Sequence, residues 1–278
     1  MKPVAFDYAR VWRVEEALRV LNDHENAKIL AGAQTLGPLL NLRLAQPSIL
    51  VDITRVPELT RVEESRDAID YGACITHAAF EDARVPDAGN GLMQQVAAGI
   101  GYRAVRSRGT IGGSIAHADP AADWVSALVA LGADVLISGP NGGRRASVVN
   151  FIRGAMMTDL GVAEIIDGVR VKRLSPRARC GYAKICRKTG EFADAIGVAV
   201  HEPECARLTF VSGATSGRPI LLDGSALGLD PSADRPRADA FDLAKVMSEL
   251  APWVGNDAYD LKIHAVALRR AFSQICAA

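Results

Sequence analysis

Cysteine is sparse and never closely paired: Cys74, Cys180, Cys186, Cys205 and Cys276 are odd in number and include no C-x-x-C. That argues against a disulfide framework, and against an iron–sulfur or structural zinc site within this chain. The histidines (His24, His77, His117, His201, His264) form no H-x-x-x-H pair, so they too predict no metal site. An excess of one charge is missing. The 32 basic residues balance 32 acidic ones, so no global field recruits nucleic acid or an anionic membrane. No apolar run approaches the roughly 18 residues of a membrane span. Met1 to Arg10 lacks the apolar core of a signal peptide, so a cytoplasmic protein is expected. There is no G-x-S-x-G elbow, Walker P-loop, internal repeat or low-complexity tract.

What is present is 278 residues, nearly half hydrophobic, enough for one large core or two to three smaller ones. The most informative stretch is Arg106-Ser-Arg-Gly-Thr-Ile-Gly-Gly-Ser-Ile-Ala-His-Ala-Asp-Pro-Ala-Ala-Asp-Trp124. Its paired glycines lack Cβ atoms, so backbone N–H groups there can close on an anion or a flat ring. Thr110 and Ser114 add hydroxyls on either side. The stretch is expected to hold the pyrophosphate of a dinucleotide; the alternative is a tight turn and nothing more. Asp119-Pro120 reads as a helix start, with Asp as N-cap and Pro at the first helical position. Gly99-Ile-Gly-Tyr-Arg-Ala104 spells G-x-G-x-x-A, but a helix former precedes it rather than a strand, so it is not a Rossmann turn.

In chain order, Val14 to Asn22 predicts an amphipathic helix, Ala27 to Ala31 a strand, and Gly37 to Leu44 a second helix. Strand, small-residue loop (Gly32 to Thr35) and helix in that order aim backbone donors at a phosphate. Ser48 to Ile53 reads as a buried strand. Arg61 to Glu64 and Ala68 to Ala73 form an expected hairpin, followed by helices at Ile75 to Arg84 and Gly91 to Ala98. Ala121 to Leu131 is expected helical, Ala133 to Ser138 a strand, and Pro140 to Gly143 a hairpin turn. From about Ile165 the texture changes. Ile165 to Leu174, Arg179 to Arg187, Ala195 to His201 and Ala206 to Ser212 read as successive strands, and Ala238 to Leu250 and Tyr259 to Cys276 as helices. That pattern predicts a separate α+β domain with an antiparallel sheet.

Four of these stretches together resemble one known family. Thr110 to Asp123 resembles the second flavin motif of the FAD-binding medium subunit of molybdenum hydroxylases, the group of xanthine dehydrogenase and aerobic carbon monoxide dehydrogenase. Lys28-Ile-Leu-Ala-Gly-Ala-Gln-Thr-Leu36 resembles the first, A-G-G-[HQ]-S-L. Asn41 to Pro47 with Val51-Asp-Ile53 is also similar, as is Tyr182 to Ala193 to K-x-x-R-[KR]-x-G-[DE]-[YFW]-A. The resemblance implies an α+β fold: a two-part FAD-binding domain of the PCMH/VAO-like flavin-oxidoreductase type (1–55 and 56–166), then a smaller α+β C-terminal domain with an antiparallel sheet (167–278).

The same resemblance implies residue roles. Lys28, Ile29, Leu30, Ala31, Gly32, Ala33, Gln34, Thr35 and Leu36 would lie along the FAD diphosphate and ribityl, and Gly109, Thr110, Gly112, Gly113 and Ser114 would form the second wall. Asp123 would contact the ADP half, Ile166 would supply an apolar contact, Lys184 a polar one, and Phe192 an aromatic near the isoalloxazine. Each has a plainer reading: Asp123 as a first-turn helix acid, Lys184 with Arg187 as a solvated strand face, Phe192 as core. Two positions depart from the family. Thr35 replaces serine and keeps the hydroxyl. Ala33 replaces a glycine, which the loop tolerates only at negative φ.

In that family a molybdenum cofactor in a large subunit hydroxylates the substrate, and two 2Fe–2S clusters in a small subunit carry electrons to this FAD. They leave to NAD⁺, oxygen, a quinone or another acceptor, in a dimer of heterotrimers. No acid–base residue acting on the organic substrate is therefore expected in this chain. The competing expectation is a self-sufficient flavin oxidase or reductase on the same fold, with its own base or covalent flavin link; in sequence, only His117 lies near the glycine loops. A non-catalytic module with a vacant nucleotide site is the third.

Overall fold

The computed structural model describes residues 1–277 and shows an α+β architecture with three principal sheets. The N-terminal unit is a parallel three-stranded sheet in the order Asp7–Arg10, Ile49–Asp52, Ala27–Leu30. The helix Val14–Asp23 buries Ala17 and Leu21 against it, and Val51 is fully enclosed at its centre. The first strand was not legible in the sequence, because Asp7-Tyr-Ala-Arg10 is an edge segment with little buried surface and no apolar alternation. The helix expected from Gly37 to Leu44 is shorter, Leu36–Asn41.

The middle unit is a five-stranded antiparallel sheet running Val62–Glu64, Ala68–Gly72, Ile165–Lys172, Asp134–Gly139, Gly142–Ser147. Both expected hairpins are present. The strand Ile165–Lys172 lies at the sheet's centre, paired to Ala68–Gly72 on one side and Asp134–Gly139 on the other. It therefore crosses the expected 166/167 division and belongs with the preceding residues. Its pattern, apolar on both faces, marks a central strand.

The antiparallel sheet of the C-terminal unit begins at Arg179: Arg179–Ile185, Ala195–Glu202, Arg207–Gly213, Ile220–Asp223. The last strand, short and flanked by turn residues, was not anticipated. The helix Ala258–Ala277 lies across this sheet. It approaches so closely that a Cβ on Gly181 would fall 2.0 Å from the Ala271 carbonyl oxygen. Small residues thus set the spacing, and Phe210, Phe241 and Phe272 fill the remaining volume. The preceding helix starts at Leu243 rather than Ala238, because Asp242 accepts from the Ala244 and Lys245 amides and caps it there.

The helices of the middle unit depart from expectation at one informative place. The segment read as a glycine turn is a helix, Ile111–His117. Thr110 caps it, its hydroxyl accepting from the Gly113 amide at 3.1 Å. Burial of Ile111 and Ile115 outweighs the roughly 1 kcal/mol by which each glycine disfavours a helix. Asp119 accordingly does not cap the next helix. Its carboxylate accepts from Ala121 in a turn, and the helix runs Asp123–Ala130.

All eight residues of that helix are buried, and Trp124 sits at the centre of the core, 4.9 Å from the Phe80 ring. The Trp124 indole N–H donates to Nδ1 of buried His77 at 3.0 Å. Burial, helped by the nearby Arg106 cation, lowers the His77 pKa to about 4. The sign follows from linkage. Between pH 6.5 and 4 the unfolded chain takes up a proton that the folded chain refuses, so stability falls as pH drops through that window, by up to about 3 kcal/mol. Urea unfolding at pH 7 and pH 4.5 should show this loss in the wild type, and His77→Phe should show a smaller difference between the two pH values.

Candidate functional site

The two glycine-bearing stretches converge. Gly32 follows the strand Ala27–Leu30 and lies directly on the backbone before the second stretch; a Cβ there would fall 2.1 Å from the Arg108 carbonyl oxygen and 2.8 Å from Cα of Gly109. No side chain fits at that contact. Gly109 is itself pressed on the His77 ring, where a Cβ would lie 2.7 Å from Nε2. An antiparallel bridge between Thr76 and Thr110 holds this layer, through His77 N–H to the Gly109 carbonyl and Ile111 N–H to the Ile75 carbonyl.

A cavity of about 870 Å³ opens along the seam, at the large end of the usual range for small-molecule sites. Of the residues expected at the ligand, Lys28, Ile29, Ala31, Gly32, Ala33, Gln34, Thr35, Leu36, Gly109, Thr110, Gly113, Ser114, Asp123, Lys184 and Phe192 line it. Leu30, Gly112 and Ile166 do not. Leu30 is in the strand ladder with Asp52. Gly112 faces inward, its Cβ position 2.4 Å from the Ala73 Cβ. Ile166 is buried in the core and pairs with Ile137. Ile166 therefore sits in the core rather than in the lining of this cavity.

The donors divide unequally between the two loops. In the second stretch the amides of Ile111, Gly112 and Gly113 already serve Ile75, Ala73 and the Thr110 hydroxyl. In the first, the amides of Gly32, Ala33, Gln34 and Thr35 have no acceptor among the described residues. A run of unsatisfied N–H groups in a turn is an anion-binding concavity. Ala33 makes that turn at φ 61°, the left-handed region. The expectation of negative φ is therefore wrong, and the methyl is accommodated at a cost of about 1–2 kcal/mol.

At the other end, Asp123 is almost wholly buried and ties the middle unit to the C-terminal sheet. Its carboxylate accepts from the Tyr182 hydroxyl and pairs with the Lys184 ammonium at 3.1 Å. Lys184 also donates to the Gly99 carbonyl at 3.4 Å. Burial pushes the Asp123 pKa up, opposed by Lys184 and the Tyr182 hydrogen bond. Burial next to that carboxylate holds the Tyr182 phenol far above its usual range. Lys184 is thus an ion-pair partner, not a solvated strand residue. A carboxylate offers about four lone-pair sites, so Asp123 keeps capacity for a ligand hydroxyl.

Several lining residues were not identified from the sequence, among them His77, Ile100, Gly101, Tyr102 and Glu191. Residues 100–102 are the rejected G-x-G-x-x-A stretch. It follows a helix, Leu92–Ala98, as expected, yet it forms cavity wall. Gly190, at φ 90°, lets the C-terminal unit's loop close on the Gly101 carbonyl, where a Cβ would lie 2.8 Å away. Phe192 and Tyr102 stand at the rim, 69% and 66% exposed, so Phe192 is not core. The features fit a dinucleotide: free amides for a diphosphate, small residues for close approach, a buried acid for ribose, and apolar rim for a flat ring. Among the described residues no group of His, Cys, Asp or Glu could hold a metal, and no helix is long and apolar enough to cross a membrane.

Comparison with known proteins agrees. Residues 4–172 match the family described as the FAD binding domain in molybdopterin dehydrogenase. The chain is 36% identical over 219 residues to the nicotine 6-hydroxylase medium subunit of Paenarthrobacter nicotinovorans, covering 78% of this chain and 76% of that one. It is 36% identical over 201 residues to the carbon monoxide dehydrogenase medium chain of Hydrogenophaga pseudoflava, covering 72% and 70%. A solved structure of carbon monoxide dehydrogenase from Hydrogenophaga pseudoflava superimposes with a TM-score of 0.85 at 28% identity, over 100% of this chain and 99% of that one. With a family match over more than half its length and relatives of this identity and coverage, the chain belongs to the FAD-binding family of molybdopterin dehydrogenases, as a flavin-dependent oxidoreductase subunit.

Proposed function

We propose that this chain is the FAD-carrying subunit of a molybdenum hydroxylase complex, standing between the 2Fe–2S clusters of a small subunit and an external electron acceptor. A large subunit would hold the molybdenum cofactor and act on the organic substrate, and the assembly would be a dimer of heterotrimers in the cytoplasm. The observation that carries this reading is the convergence of Gly32 on the Arg108–Gly109 backbone, with free amides on one side of the seam and no metal-ligand cluster among the described residues.

The chain's own residues bind and orient. The amides of Gly32 to Thr35 face a diphosphate, Thr110 and Ser114 bring hydroxyls to the opposite wall, and Asp123 takes a ribose hydroxyl while Lys184 balances its charge. Phe192 and Tyr102, which line the cavity, would offer apolar contact to the flavin ring. Bound flavin supplies reversible one- and two-electron chemistry, which lets it join single-electron clusters to a two-electron acceptor.

Two experiments test the reading. Purified from its native host, the chain should bring down two further proteins containing molybdenum and iron, with one FAD per copy of this chain. A lone chain that turns over a small organic substrate would support the self-sufficient alternative. In the second, Gly113→Val should lose most of its FAD while keeping its fold. The new Cβ lies 2.9 Å from the Thr110 hydroxyl that caps the helix and projects into the cavity. Flavin absorbance per protein, beside far-UV circular dichroism, reads both.

A further inference from the structure

His77 is a buried polar side chain with one nitrogen unaccounted for. It is 6% exposed and lines the cavity beneath Gly109. The Trp124 indole can only donate, so Nδ1 of His77 must accept its hydrogen bond. In the neutral ring the proton is then on Nε2. Burial keeps the ring neutral, with a pKa of about 4. Nε2 has no partner among the described residues, yet it is not sealed in the core. It lies close under Gly109, whose Cα meets Gly32 at the start of the free amides. An oriented, neutral N–H donor thus stands where the two loops meet.

We propose that His77 is a further cofactor-binding residue: its Nε2–H donates to a diphosphate oxygen of FAD, and Trp124 sets the tautomer that makes this possible. The inference rests on the FAD reading above. A fixed neutral donor loses less orientational freedom on binding than a flexible lysine and adds no buried charge. It also gives Trp124 a role beyond packing. Replacing the indole by an apolar ring would leave Nδ1 free to take the proton, and Nε2 would become an acceptor facing the phosphates. Gly109 fits the same account, since any side chain there would cover the imidazole edge.

The test is ligand titration of the apo chain with FAD, ADP and riboflavin, followed by calorimetry and flavin fluorescence. His77→Phe keeps a flat ring under Gly109 and removes the donor. It should weaken FAD and ADP binding by roughly 10- to 100-fold, the usual effect of a lost hydrogen bond to a charged group, and leave riboflavin unchanged. Unaltered FAD affinity, or equal weakening of riboflavin, would overturn the assignment. If the variant does not fold, wild-type chain with ¹⁵N-labelled histidine decides: adding ADP should shift the His77 Nε2–H resonance and slow its solvent exchange. A resonance that stays put would refute the hydrogen bond. Wild-type chain that binds no FAD at all would bring down the cofactor reading, and this proposal with it.

Discussion

The contact between Gly32 and the Arg108–Gly109 backbone is the constraint on which the rest depends. There the loop after the N-terminal sheet meets a loop of the middle unit backbone to backbone, with no side chain between them. Everything at the seam follows from that closeness. The first loop turns sharply enough to put Ala33 in the left-handed region, and four successive amides there have no acceptor among the described residues. The second loop is held rigid from behind, because the bridge from Thr76 to Thr110 and the cap on Ile111–His117 already satisfy its amides. One loop supplies donors and the other supplies a wall.

The far side of the cavity is closed by a different kind of interaction. Burying Asp123 alone would be costly, and the Tyr182 hydroxyl and Lys184 ammonium make it tolerable. Both partners come from the same C-terminal strand, Arg179–Ile185, so the carboxylate anchors that sheet as well as facing the cavity. The loop after that strand returns over Gly101 through Gly190 and presents Phe192 at the rim. The C-terminal unit therefore completes the site, and its closest approaches are made by small residues, as they are between its own sheet and the helix Ala258–Ala277.

Much of this was legible in the chain. The strand–loop–helix around Gly32 follows from local periodicity, and the hairpins and C-terminal strands follow from alternation and turn residues. Most of the residues that the family resemblance pointed to lie in the cavity lining. What escaped has physical reasons. The helix Ile111–His117 was hidden by its glycine pair, because local propensity points to a turn where a threonine cap and two buried isoleucines decide for helix. Ile166 lies outside the cavity lining, because it is buried in the central strand of the middle sheet. Ala33 adopts a left-handed backbone that its residue type disfavours and that no local pattern announces. His77 lies more than 30 residues before the loop it supports, and no local pattern links Thr76 to Thr110.

The most direct measurement is the flavin content of Gly32→Ala, the smallest change that separates the two backbones. The account predicts a chain with wild-type far-UV circular dichroism that retains little FAD, because the added methyl cannot share the space of the Arg108 carbonyl. A Gly32→Ala protein holding one FAD per chain with wild-type affinity would contradict it.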